Sequence, residues 1–196
     1  MSNEEKIKWD RRWTDFDPQH FSEPTSILVT LATMMDSGDA LDIACGEGRN
    51  SVYLAQRGFR VHALDISSKA IDLVKSRASD LGVAIHTEVS DLDEYTIRAC
   101  SYDLITTSFY VNRDPQLILA VKKAVKPGGF IVQEQHCDSN LGVTGPSEGR
   151  FRLRPGELIN LFSDLDVKFY SEVVEDLLDS RISVARIIAQ KPYGPP

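Results

Sequence analysis

Apolar positions along this chain follow two different periods. Short apolar runs at 40–44, 59–65, 83–87, 102–107 and 130–134 have the length of buried strands, and between them apolar residues recur every three or four positions. That second period predicts helices over 24–35 (Ile27, Leu28, Leu31 and Met34), from about Arg49 to Gly58 (Val52, Leu54 and Ala55), and over 69–79 (Ala70, Ile71, Val74 and Ala78). It also predicts helices over 115–125 and from Pro155 through Leu158, Ile159, Leu161 and Phe162. Punctuation agrees: Ser67 and Ser68 can cap the third helix, Gly82 closes it, and Lys126-Pro127-Gly128-Gly129 ends the fourth. Two longer runs, 167–175 and 182–190, flank a polar Asp179-Ser180 turn and predict an antiparallel hairpin.

Two stretches stand outside this alternation. Near the N-terminus Trp9, Trp13 and Phe16 fall at helical spacing before Asp17-Pro18, so residues 1–22 form either a docking helix or a flap over a ligand, with Arg11 or Arg12 turned inward. Residues 136–149 are a long polar stretch of the kind that is usually functional or mobile. Strands alternating with helices predict an α/β, doubly wound, Rossmann-like sheet of seven strands in one domain, mainly parallel with an antiparallel C-terminal hairpin. In such a fold ligands sit beyond the carboxyl ends of the strands, at the topological switch point.

Composition narrows the partners. The 196 residues are 42% hydrophobic, enough for a substantial core, and their net charge of -7 argues against a broad DNA-binding face. No apolar run reaches the roughly 20 residues that span a bilayer, and the polar start is unlike a secretory signal, so a cytoplasmic protein is expected. Three cysteines, an odd number without a C-x-x-C pair, predict reduced thiols. His20, His62, His86 and His136 are too scattered to predict a metal site.

The most informative stretch is 40–54. An apolar run interrupted by Asp42 breaks at Cys45-Gly46-Glu47-Gly48, and a helix follows. Glycines there allow a tight turn and a close ligand approach, and the helix directs unpaired N–H groups at the same spot. Asp65, 19 positions after Gly46 at the end of the next strand, is placed to accept hydrogen bonds from ribose hydroxyls. A dinucleotide fold shares both features but wants a third small residue three places after the second glycine, where this chain has Ser51. Asp91, after the third strand, is placed to accept from an adenine amino group.

These strings together resemble a known family. LDIACGEGRNS at 41–51, ALDIS at 63–67, SDL at 90–92 and VKPGGF at 125–130 are similar to successive motifs of class I S-adenosylmethionine-dependent methyltransferases. GRNSVYL at 48–54, RGF at 57–59 and FRLRPGEL at 151–158 most resemble the tellurite-resistance and thiopurine methyltransferase-like branch. The resemblance implies that Asp42, Ala44, Gly46, Gly48 and Asn50 surround the methionine end of S-adenosylmethionine and Asp65 its ribose. Asp91 would take the adenine amino group, Ile66 and Leu92 would sandwich the ring, and Ser108 and Phe109 would line the methyl channel. Candidates on the acceptor side are Tyr110, Arg113, His136, Arg152 and Arg154. Relatives often carry a histidine in the final hairpin loop, and residues 177–181 contain none. The resemblance implies methylation of a small molecule. Two other readings stay open at this point: a nicotinamide-dependent oxidoreductase, and a cofactor-binding protein without catalysis.

Overall fold

The computed structural model describes residues 3–17, 22–139, 143, 146, 148–176 and 181–194. Its elements, in chain order, are α1 (Asn3–Thr14), α2 (Ser26–Ala32), β1 (Asp39–Ile43), α3 (Arg49–Gln56), β2 (Arg60–Asp65), α4 (Ser68–Asp80), β3 (Ile85–Val89), β4 (Tyr102–Ser108), α5 (Pro115–Ala124), β5 (Val125–His136), α6 (Glu157–Leu161), β6 (Asp166–Asp176) and β7 (Arg181–Gln190). The strands form one sheet in the order β3-β2-β1-β4-β5-β7-β6. The first five are parallel to one another, and β7 runs antiparallel to both β5 and β6, as the terminal pattern predicted. The Asp179-Ser180 turn and the Asp17-Pro18 boundary fall wholly or partly outside the described residues.

Alternating side chains on β1 show how the sheet is covered. Leu41 and Ile43 enter a cluster with Leu117 and Val121 of α5, Leu158 of α6 and Phe162. Ala40 enters the other cluster, with Ile27 and Leu28 of α2 and Leu54 of α3. Both faces of the central strands are therefore buried, which is why those strands read as continuous apolar runs rather than as alternation. From β1 the chain proceeds one way to β2 and β3, then crosses back to β4 and β5. The switch point lies between the carboxyl ends of β1 and β4.

Several boundaries differ from the pattern, each for a local reason. β1 stops at Ile43 because Ala44 takes φ +54°, and α6 starts two residues after Pro155 because Gly156 caps it with φ +73°. α2 is shorter at both ends than its apolar period. β5 begins at Val125, before the expected Phe130, and accommodates the Lys126–Gly129 turn through a register shift opposite Tyr102 and Leu104. Gly129 is needed there, since a Cβ would come within 2.8 Å of the Asp103 carbonyl oxygen. α1 contributes no buried residue, so it packs on the rest through half-exposed aromatics and polar contacts.

Candidate functional site

A cavity of about 940 Å³ opens at the switch point. Among the expected site residues, Asp42, Ala44, Gly46, Asn50, Asp65, Ile66, Leu92, Ser108, Tyr110 and His136 line it, together with Phe109. Two of the three non-glycine residues with positive φ among the described residues, Ala44 (+54°) and Phe109 (+56°), stand where β1 and β4 end at this cavity. Non-glycine residues in that region are strained by about 1–3 kcal/mol each, a cost that concentrates at ligand sites. The backbone at 109 is held by its N–H donating to the Glu134 carbonyl at 2.8 Å.

One wall is built from buried carboxylates on backbone donors. Asp65 accepts from the Gly46 N–H and the Ser67 N–H, both at 2.9 Å, one on each oxygen. Burial nonetheless pushes its carboxyl up from the ordinary range. Asp42 is 2% exposed and accepts from the Ser51 hydroxyl at 2.6 Å. Burial pushes Asp42 up to about 7. Ser51, which departs from the dinucleotide pattern, therefore serves the buried carboxylate. Asn50 accepts from the Thr25 N–H at 3.0 Å and donates to the Ser108 hydroxyl at 3.0 Å, linking the start of α2 to the end of β4.

The two loop glycines turn out to have different reasons. Gly46, at φ +55°, lies under the Trp13 indole: a Cβ there would come within 2.8 Å of the ring. Gly48, at φ +80°, faces Val74 of α4, 2.7 Å from where a Cβ would stand, and caps α3. Gly48 is a packing glycine outside the cavity lining.

Across the cavity, α1, Pro146 and residues 148–151 form the second wall. Lys8, Trp9, Arg12 and Trp13 line it from α1, and Pro146, Glu148 and Phe151 face them. Ion pairs join the two pieces: Lys8 to Glu148 and Arg150 to Glu5, at 2.9 and 2.8 Å. Trp9 meets the Phe151 ring edge-on, and Asp10 anchors the helix by accepting from the Ser67 hydroxyl at 2.6 Å.

Between the walls stand Phe109, Tyr110 and His136. The His136 and Phe109 rings lie 4.5 Å apart, and the Arg49 guanidinium sits over the Phe109 ring, 5.3 Å from its centroid. Burial, aided by the Arg152 charge, pulls His136 down to about 4, so its imidazole is neutral near pH 7. Burial pushes Tyr110 up to about 12, and its hydroxyl accepts from Asn112.

Four more expected residues, besides Gly48, stand outside the lining. The Asp91 carboxylate accepts from the Asp93 N–H in a turn, while Leu92 beside it reaches the cavity wall. Arg113 clamps Glu157 and the carbonyls of Arg150 and Arg152, which ties β4's following loop to α6 rather than to the cavity. Arg152 donates to the Pro146 carbonyl. Arg154 is exposed, and buried Leu153 between the two arginines pairs with Cys137. Arg49, Lys8 and Glu148 were missed by sequence reasoning; of these only Arg49, next to the glycine loop, carried a local signal.

Comparison with known proteins agrees with this geometry. A family described as "Methyltransferase domain" matches residues 40–129. The probable S-adenosyl-L-methionine-dependent methyltransferase TehB of Haemophilus influenzae is 27% identical over 157 residues, covering 76% of this chain and 54% of that protein. The ubiquinone biosynthesis O-methyltransferase of Bordetella avium is 27% identical over 129 residues, covering 63% and 53%. The crystal structure of TehB from Haemophilus influenzae superposes with a TM-score of 0.76 at 23% identity, covering 85% of this chain and 62% of that one. The chain thus spans about half the length of the curated relatives it matches. Residues 40–129 thus match a methyltransferase domain, and the motifs, the strand order and the likeness to TehB agree with that match.

Proposed function

We propose that this protein transfers the methyl group of S-adenosylmethionine to a small, anionic or otherwise already nucleophilic acceptor. The observation that carries the reading is the pairing of buried Asp42 and Asp65 on one wall of the cavity with the glycine loop between them. A cavity of about 940 Å³ has room for a cofactor and a second small molecule, at the upper end of the usual range for ligand sites. The donor set suits the cofactor. Asp42 offers a carboxylate to a charged amino group, and Asp65, already fixed by two backbone N–H donors, has lone pairs left for ribose hydroxyls. Ile66 and Leu92 give apolar faces for a purine.

When bound, S-adenosylmethionine supplies a methyl carbon activated by positive sulfur. The acceptor's lone pair forms the new bond to that carbon while the S–C bond breaks and its electrons return to sulfur. The protein's part is to align the acceptor and exclude water. In this reading α1, as part of the 1–22 flap, closes the cavity with Trp9 and Trp13. Phe109, Tyr110 and His136 hold the acceptor, and Ser108 and Asn50 shape the channel between the two halves.

The acceptor class rests on the two titratable side chains beside Phe109, namely Tyr110 and His136. With Tyr110 pushed up to about 12 and His136 pulled down to about 4, neither is matched to proton removal near pH 7. A thiolate or another anion needs no such help, and Arg49 and Arg12 line the cavity. DNA does not suit the net charge of -7. The relatives named above give no support to a nicotinamide-dependent activity. A cytoplasmic location belongs to the same reading, supported by three unpaired thiols at Cys45, Cys100 and Cys137. Among the described residues no helix is long and apolar enough to cross a membrane.

The test is a calorimetric titration with S-adenosylmethionine, followed by a panel of thiol, hydroxyl and amine acceptors. Saturable binding of one equivalent and turnover favouring acidic or thiol acceptors are expected. Failure of folded protein to bind would overturn the proposal, and tight binding without turnover across the panel would favour a non-catalytic role.

A further inference from the structure

Outside the cavity lining, the pairing of β2 with β3 does something the sequence spacing of the histidines did not predict. In this parallel register His62 stands directly opposite His86, and Glu88, two residues further along β3, shares their face of the sheet. The two imidazole rings are 4.5 Å apart, and His62 Nε2 lies 3.2 Å from Glu88 Oε2. One candidate ligand atom from each of the three side chains falls within 4.8 Å of the others. Ligands around a tetrahedral zinc ion at about 2.0–2.1 Å from the metal stand roughly 3.3 Å apart. The His62–Glu88 edge already has that length, and His86, the exposed member, has the rotamer freedom to close the rest.

A second shell supports the arrangement. His62 Nδ1 is 3.1 Å from the Tyr102 hydroxyl on β4's first residue, and the Tyr95 ring meets the imidazole edge-on at 6.3 Å. With Nε2 used as a ligand, Nδ1 carries the proton and donates to the Tyr102 oxygen, the outer contact that orients ligating histidines. A plain His62–Glu88 ion pair would use one imidazole. The second, placed in register beside it, is what a cation accounts for. None of the three lines the cavity.

We propose that His62, His86 and Glu88 form a site for one divalent transition-metal ion, with zinc the representative, that clips edge strand β3 to β2. Two imidazoles and one carboxylate suit zinc, cobalt or nickel and disfavour magnesium and calcium, which prefer all-oxygen sites. Three protein ligands leave a fourth position for water. The clip lies on the two strands that lead to Asp65 and Asp91, so its expected effect is to stiffen the cofactor half of the cavity rim from behind.

The experiment uses the full chain, free of any affinity tag and stripped with a chelator. Zn²⁺ is titrated by calorimetry, and Co²⁺ absorption in the visible range reports the coordination. Wild type should bind one equivalent and gain thermal stability with zinc. His86→Ala, at an exposed position, should fold normally but lose at least tenfold in affinity and lose the thermal gain. Tyr102→Phe, which removes only the positioning hydroxyl, should weaken zinc by about tenfold and alter the cobalt spectrum. Absence of a one-equivalent site in wild type, unchanged binding in His86→Ala, or an equal thermal response to Mg²⁺ would each overturn the proposal.

Discussion

The two walls of the cavity are made in opposite ways. Asp42, Asp65, Gly46 and Ser51 are fixed by strand ends and backbone donors within a short stretch of chain, and the carboxylates are almost fully out of water. On the other side α1 and residues 148–151 are joined by surface ion pairs such as Lys8–Glu148, which connects positions 140 apart. The first wall is held by the Gly46 and Ser67 N–H groups on Asp65 and by the Ser51 hydroxyl on Asp42. The second is held by contacts worth little individually. That difference suits a site in which one half keeps a fixed shape while the other can open to let ligands in and out.

The largest expected effect lies on the carboxylate wall. Asp65→Ala should weaken S-adenosylmethionine binding by about 1–3 kcal/mol, the cost of leaving hydroxyl partners unpaired, as measured by calorimetry. Full affinity in that variant would remove the ribose assignment. Next comes the contact where the walls meet. Gly46→Ala should cost on the order of 1–2 kcal/mol of stability, from left-handed backbone strain and the clash with Trp13. In a double-mutant cycle Trp13→Ala should recover the clash component. Additive losses in urea unfolding would show that the indole does not press on the loop.

A smaller effect is a proton. Asp42's folded value is raised to about 7, so the native state holds a proton that the unfolded state loses near pH 4. This group's stabilisation is therefore fully present at low pH and declines as pH rises through about 7. A cationic amino group bound beside it favours the carboxylate, so cofactor binding at pH 7 should release about half a proton. Calorimetry in two buffers of different ionisation enthalpy measures this, and Asp42→Asn should abolish it. The smallest effect belongs to the loose wall. Lys8→Ala should cost about 0.2–1 kcal/mol in unfolding experiments at low salt, and the loss should shrink in high salt. A salt-independent loss would mean that packing of the lysine stem on Phe151, not its charge, holds the wall.

The same contrast explains what the sequence could reveal. The carboxylate wall was legible because its members lie on successive strand ends at fixed intervals, and the apolar period alone placed those ends on one side of the sheet. Gly48 was legible as a requirement but not as to cause, since Val74, its reason, lies on the next helix. Arg113 looked like an acceptor residue because it follows β4 closely. Its partner Glu157 is 44 positions away, and no local pattern marks that pairing. His62 and His86 depended on the register of β2 against β3, where a slip of one residue would have put them on opposite faces.

The way α1 is docked has a consequence for the order in which the molecule is completed. Its contacts are with Ser67, Gly46, Glu148, Arg150 and Phe151, and it buries no residue of its own. On the ribosome α1 emerges about 140 residues before half of its docking surface leaves the tunnel. A helix without a buried face has little stability alone. The helix is thus made well before the surface it docks on is complete.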